Sequence, residues 1–167
     1  MIYYKGNDTK IIEAIAIANN LLATSSIFYN NIEFRDKFDL SNVTTKTIVR
    51  DMKYIYKTYD VEYTGYKPWY WRSKVIGYYT SKKPDQIFFN ECMAKKLSIG
   101  SIVGNIIHEF VHLVDFRNGM ETYHHHKTKV EPNSRSGKQN TAPYWIGNLA
   151  KKIAKCLISL KLYGKYL

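Results

Sequence analysis

Apolar residues recur along this chain at two spacings, and the alternation between them outlines its elements. After Asn7 or Asp8, either of which can cap a helix, Ile11, Ile12, Ile15, Ala16, Ala18, Leu21 and Leu22 return every three or four positions, as on one face of a helix. A second helical stretch over residues 42–56 carries Val43, Ile48, Met52 and Ile55. Three tyrosine-rich segments, 27–29, 61–66 and 74–79, read as strands. Lys83-Pro84-Asp85 then breaks the chain before Gln86-Ile87-Phe88-Phe89-Asn90, the clearest strand signal.

The longest helical repeat follows, through Ile99, Ile102, Val103, Ile106, Ile107, Phe110, Val111 and Val114, with Ser98 or Ser101 to start it and Gly119 to end it. Over residues 118–142 the periodicity gives way to polar, basic, glycine-containing sequence, a long loop of the kind that carries function. A last helix begins at Pro143 with Thr141 as a cap; Ile146, Leu149, Ala150, Ile153, Leu157 and Leu160 form its buried stripe, and Lys151, Lys152 and Lys155 project elsewhere as a solvated face. The pattern predicts an α+β fold with N-terminal helices, a small twisted, mostly antiparallel sheet, a central helix and a C-terminal helix. At 167 residues it predicts one domain over 1–167.

Composition narrows this picture. The 45% hydrophobic content is that of a folded protein, and no apolar run is long enough to cross a bilayer. The first residues, Met1 to Gly6, lead into polar sequence and not into a signal-peptide core, so a soluble, cytoplasmic monomer without a membrane span is expected. Cys92 and Cys156 are far apart and outside any C-x-x-C pair, and read as small buried hydrophobes. A formal charge of +11 favours acidic partners. Lys53, Lys57, Lys67, Arg72 and Lys74, interleaved with Tyr54, Tyr56, Tyr59, Tyr63, Tyr66, Trp69, Tyr70 and Trp71, are the candidate surface for nucleic acid or another acidic partner.

The strongest chemical signal is the placement of histidine. All five, His108, His112, His124, His125 and His126, fall in one stretch, and the first two frame a glutamate in His108-Glu109-Phe110-Val111-His112. Residues four apart on a helix share a face one turn from each other, so two imidazoles can reach one tetrahedral ion. Glu109 lies one position round, close enough to act on a water at the metal without taking a coordination position.

Through His108, Glu109 and His112 the chain resembles the zincin superfamily of metallopeptidases. The resemblance implies a zinc ion held by His108 and His112 with Glu109 as general base, a third ligand further along, and a sheet whose edge strand binds the substrate backbone. Asn140 to Gly147, with Pro143-Tyr144-Trp145-Ile146-Gly147, resembles a segment of small zincin-like proteins of phages and bacteria, which suggests a phage- or virus-encoded chain and places Tyr144 near the metal as a stabiliser of the oxyanion. Residues 108–115 are also similar to the motif of lethal-factor-type proteases, although the downstream acidic helix of that type is missing.

The third ligand is confined to few residues. Nothing after Glu131 is acidic, which disfavours a glutamate from a later helix, and the metzincin pattern fails at Asp115 and Asn118. Asp115 shares the helix face of His108 and His112, and reads as an acceptor for an imidazole N–H, as an alternative ligand or as a surface carboxylate. One of His124, His125 and His126, folding back from the 118–142 loop, is the preferred third ligand, with Glu121 and Glu131 the other candidates. The expected activity is zinc-dependent hydrolysis of peptide bonds in a protein or peptide substrate, with Gln86 to Asn90 as the strand that pairs with it. The alternative is a basic nucleic-acid-associated protein with a structural or protease-derived zinc site.

Overall fold

The computed structural model describes residues 1–69, 75–118 and 139–163, the last three as backbone only. The described elements are β1 (Ile2–Tyr3), α1 (Thr9–Thr24), α2 (Ser26–Glu33), α3 (Thr45–Thr58), β2 (Val61–Tyr66), β3 (Gly77–Tyr79), β4 (Gln86–Asn90), α4 (Glu91–Ala94), α5 (Ile99–Arg117) and α6 (Ala142–Tyr163). This is a mixed α+β arrangement: six helices and one four-stranded sheet among the described residues.

Local chemistry sets the helix starts. The Asp8 carboxylate accepts from the N–H groups of Lys10 and Ile11, Thr44 accepts from Thr47, and Ser98 accepts from Ser101, so each satisfies donors that the first turn leaves open. Ser98, not Ser101, therefore starts α5, and Asn118 closes it by donating its N–H to the Val114 carbonyl. Gly119, expected to end the helix, lies outside the described residues. Thr141 precedes α6 as expected, with its carbonyl accepting from the Trp145 N–H.

The sheet differs from the mostly antiparallel expectation. Its order is β1-β2-β4-β3; β1 pairs with β2 and β2 with β4 in parallel, and β3 pairs antiparallel with β4. The three N-terminal helices form the crossover that makes the first parallel pair, and the β3–β4 hairpin folds back so that its second strand lies against β2. Val61–Tyr66 and Gln86–Asn90 are strands as predicted, whereas the 74–79 segment contributes strand only over Gly77–Tyr79, and Lys74 lies outside the described residues. Residues 27–29 are helical: Ser25 caps α2 at the Phe28 N–H, and Phe28, Tyr29 and Ile32 bury one helix face. A three-residue aromatic run is too short to distinguish the two periods.

The core is continuous. Ile11, Ile15, Ala18, Leu21 and Leu22 of α1, Ile48, Met52 and Ile55 of α3, Ile87 and Phe89 of β4, and Ile102 to Val114 of α5 pack into one cluster. α5 runs through its middle, flanked by α1 and α3, by the sheet and, most extensively, by α6. The outer faces differ from the sequence pattern. Ile12 and Ala16 of α1 and Leu160 of α6 are exposed. So are Cys92 and Cys156, because each lies two positions, more than half a turn, from a buried alanine of its own helix, Ala94 and Ala154. Among the described residues no single helix is long and apolar enough to cross a membrane.

Candidate metal centre and cleft

α5 carries the candidate chemistry on its one polar face. Ser101, Asn105, His108, His112 and Phe116 follow one another at three- or four-residue spacing and, with Glu109 beside His108, line a cleft of about 900 Å³ between α5, β3 and α6. The imidazoles of His108 and His112 lie edge to face with centroids 5.0 Å apart. Donor atoms of His108, Glu109 and His112 all fall within 4.8 Å of one another. Two imidazole nitrogens converging so closely, with a carboxylate beside them, could hold a metal ion.

Glu109 is held from two sides. Asn105 donates from its Nδ2 to the Glu109 Oε1 at 3.4 Å, and the backbone N–H of Tyr79 donates to the same carboxylate. The Asn105 amide is itself oriented by the buried Tyr63 hydroxyl, which donates to its Oδ1 at 3.2 Å. With Oδ1 occupied, Nδ2 is the end left to face Glu109. Burial raises the Glu109 carboxyl to about 8 against the opposing pull of these hydrogen bonds. Such a group changes protonation near neutrality, where proton transfer in both directions is accessible.

Tyr144 stands at the opening of α6 with its ring edge to face with His108, centroids 4.6 Å apart, and burial together with the Glu109 charge raises its phenol. Its neighbour Trp145 turns inward to Phe38, under Arg35, so the two adjacent aromatics serve different surroundings. Gly104 and Gly147 let α6 approach this closely. A Cβ on Gly147 would stand 2.8 Å from the Gly104 carbonyl oxygen and 3.0 Å from the His108 Cβ. Gly77 is similarly tight: a Cβ there would lie 2.6 Å from the Asn105 Oδ1, which seats β3 directly on the polar face of α5.

Among the described residues β3, not β4, is the edge strand of the sheet beside the site, with its Tyr79 N–H given to Glu109. Gln86 to Asn90 was expected to pair with substrate, but β4 is enclosed between β2 and β3. The unbroken apolar run Ile87-Phe88-Phe89 is what an interior strand requires, and nearly the whole strand is buried. Asp115 is 1% exposed, which removes its surface reading and leaves a buried carboxylate one turn beyond His112. His124, His125, His126, Glu121 and Glu131 lie outside the described residues.

The basic aromatic surface is dispersed. Tyr63 is stacked on Phe89 inside the core, Tyr56 packs edge-on against Phe110, and Tyr59 lies beneath Arg117. Tyr54 and Trp69 remain exposed, and Tyr70, Trp71, Arg72 and Lys74 lie outside the described residues. Asn105, Tyr63, Gly77 and the Gly104–Gly147 contact were missed from sequence. The signal for Asn105 was present: it is a polar residue inside an apolar run, four positions before Glu109. Comparison with protein-family models, with curated proteins and with solved structures finds no match for the chain.

Proposed function

We propose that the chain is a zinc-dependent metalloendopeptidase of the zincin type. The observation that carries this reading is the convergence of His108, Glu109 and His112 in a cleft lined also by β3, the edge strand among the described residues. The cleft follows α5 from Ser101 to Phe116, about 22 Å of helix axis at 1.5 Å per residue, and so continues on both sides of the histidine pair. A cleft of that shape suits an extended chain cut in its interior.

His108 and His112 would hold the ion, with a third ligand from His124, His125 or His126. When bound, it supplies Lewis acidity that polarises a carbonyl and lowers the pKa of water. The remaining work belongs to the protein. Glu109, held by Asn105 and the Tyr79 N–H, takes a proton from the attacking water and delivers it to the leaving amine. The edge of β3 offers the substrate those backbone groups that are not bonded to Glu109. The Tyr144 hydroxyl donates to the carbonyl oxygen as negative charge develops there. The test is Glu109→Gln in the zinc-loaded full chain, with hydrolysis of an unfolded protein as readout. The variant is expected to retain zinc and lose hydrolysis; retained turnover would remove the assigned base.

A second reading is a nucleic-acid-associated protein, favoured by one surface. Lys46, Arg50, Lys53 and Lys57 are all exposed and follow one another at helical spacing along α3, a row that matches a phosphate backbone in charge. Oligonucleotide binding that weakens steeply with salt would support it, and binding indifferent to salt would remove it.

A further inference from the structure

The cleft holds a cation that the proposed chemistry does not use. Lys151 of α6 lines the cleft at the end nearer the start of α5, beside Ser101 and Asn148. Its stem is seated on α5: a Cβ on Gly104 would stand 2.9 Å from the Lys151 Cβ. The side chain is half-buried, and among the described residues it forms no ion pair. Glu109 is the only carboxylate among the described residues lining the cleft, so among them Lys151 and the Asn148 amide have no anion at this end, while the Ser101 hydroxyl is shared with Ser98 at 3.0 Å. A cation on a packed stem, lining a cleft with no neighbouring carboxylate among the described residues, favours an anionic ligand group.

Its distance from the candidate centre can be read along two elements. Gly104, beneath Lys151, precedes His108 by four helical residues, about 6 Å of axis. β3 runs alongside, with Gly77 against Asn105 and the Tyr79 N–H on Glu109. Two strand residues, about 6.7 Å, therefore cover the same stretch. An extended peptide paired with β3 would have its backbone at Glu109 and a group two residues away at Lys151.

We propose that the Lys151 end of the cleft is a carboxylate-binding subsite, so that the substrate is a peptide bearing a carboxylate about two residues from the bond that is cut. The carboxylate is either an Asp or Glu side chain or the peptide's own C-terminus. The position of the bond rests on the metallopeptidase reading; the subsite itself does not.

The test uses the full chain carrying Glu109→Gln, so that bound peptide is not cut, and fluorescein-labelled degenerate hexapeptides with one Glu or one Gln, each as C-terminal acid and C-terminal amide. Anisotropy is expected to show the Glu peptides, or the C-terminal acids, bound about fivefold more tightly than the Gln amides, consistent with a partly screened ion pair. Tighter binding of Glu amides assigns the side chain, and tighter binding of Gln acids assigns the C-terminus. Adding Lys151→Met, which keeps the packed stem, should abolish the preference. Equal binding of all four peptides, a preference that survives Lys151→Met, or no binding by any peptide overturns the subsite. Cleavage by the wild-type chain is measured separately. Lys151-dependent binding without cleavage would remove the peptidase reading and leave the subsite, and cleavage without acidic preference would do the reverse.

Discussion

The two long faces of α5 use one helical period for opposite ends. Toward α1 and α3, the helix presents Ile102, Val103, Ile106, Phe110 and Leu113, all buried without a polar atom to satisfy. Toward β3 and α6 it presents Ser101, Asn105, His108, Glu109 and His112 around a cleft. The first face gains free energy from every methylene removed from water. The second places a carboxyl where burial raises it to about 8, and such a group weakens the fold unless it is protonated or paired. A helix can carry that unfavourable stripe because its opposite side lies at the centre of the core.

The sharpest break between the faces is in turnover. Glu109→Gln should lower peptide hydrolysis by about 10²–10⁴-fold, the range for removing a general base, with zinc content unchanged by elemental analysis. Ile102→Ala, on the apolar face, should instead cost about 2–5 kcal/mol of stability in a denaturant titration. Well below its melting temperature the Ile102→Ala chain should turn over within about threefold of wild type, since a change confined to packing leaves the six-residue-distant His108 in place. Similar loss of turnover in both variants would mean that the faces are not separable.

Much of this division was legible in the sequence, for physical reasons. The period of 3.6 fixes both the apolar stripe and the shared side of His108, Glu109 and His112, so α5 and the convergence of these three side chains follow from spacing alone. Strand order does not follow from spacing. Gln86 to Asn90 and Gly77 to Tyr79 are both short; the apolar run Ile87 to Phe89 suits an interior strand, but the hairpin's placement against β2 is what encloses it. Close approaches were equally hidden: Gly104 and Gly147 interrupt helical patterns and look like weak points until the two backbones are seen to meet. Residues 27–29 lie in α2: a strand and one buried helix face look alike over three positions, and only the cap at Ser25 and the burial of Ile32 distinguish them.

Protonation distinguishes the faces next. In the metal-free chain the folded Glu109 carboxyl, near 8, lies above its unfolded value near 4.5, so folding is coupled to proton uptake. Stability from this group is complete below the unfolded value and is lost as pH rises toward 8. With chelator present, Glu109→Gln should therefore match wild type near pH 4.5 and exceed it increasingly up to about pH 8, by on the order of 5 kcal/mol, then run parallel. Ile102→Ala should show a deficit that does not change with pH. A Glu109→Gln advantage independent of pH would mean that the carboxyl is not buried as described.

The smallest expected effect tests whether the polar face is held from behind. Tyr63→Phe keeps the ring stacked on Phe89 and removes only the hydroxyl that occupies the Asn105 Oδ1. The amide is then free to turn its oxygen toward Glu109, replacing a donor with an acceptor beside the base. A hydrogen bond of this kind is worth about 1 kcal/mol, so kcat should fall about fivefold with KM and zinc content unchanged. Tyr29→Phe is the matched control. Its hydroxyl donates to the Leu22 carbonyl at 2.7 Å, between α2 and α1, so its loss should cost similar stability and leave kcat alone. If both variants lower kcat equally, the Tyr63 hydroxyl supports the fold in general; if only Tyr63→Phe does, the chain from Tyr63 through Asn105 positions Glu109.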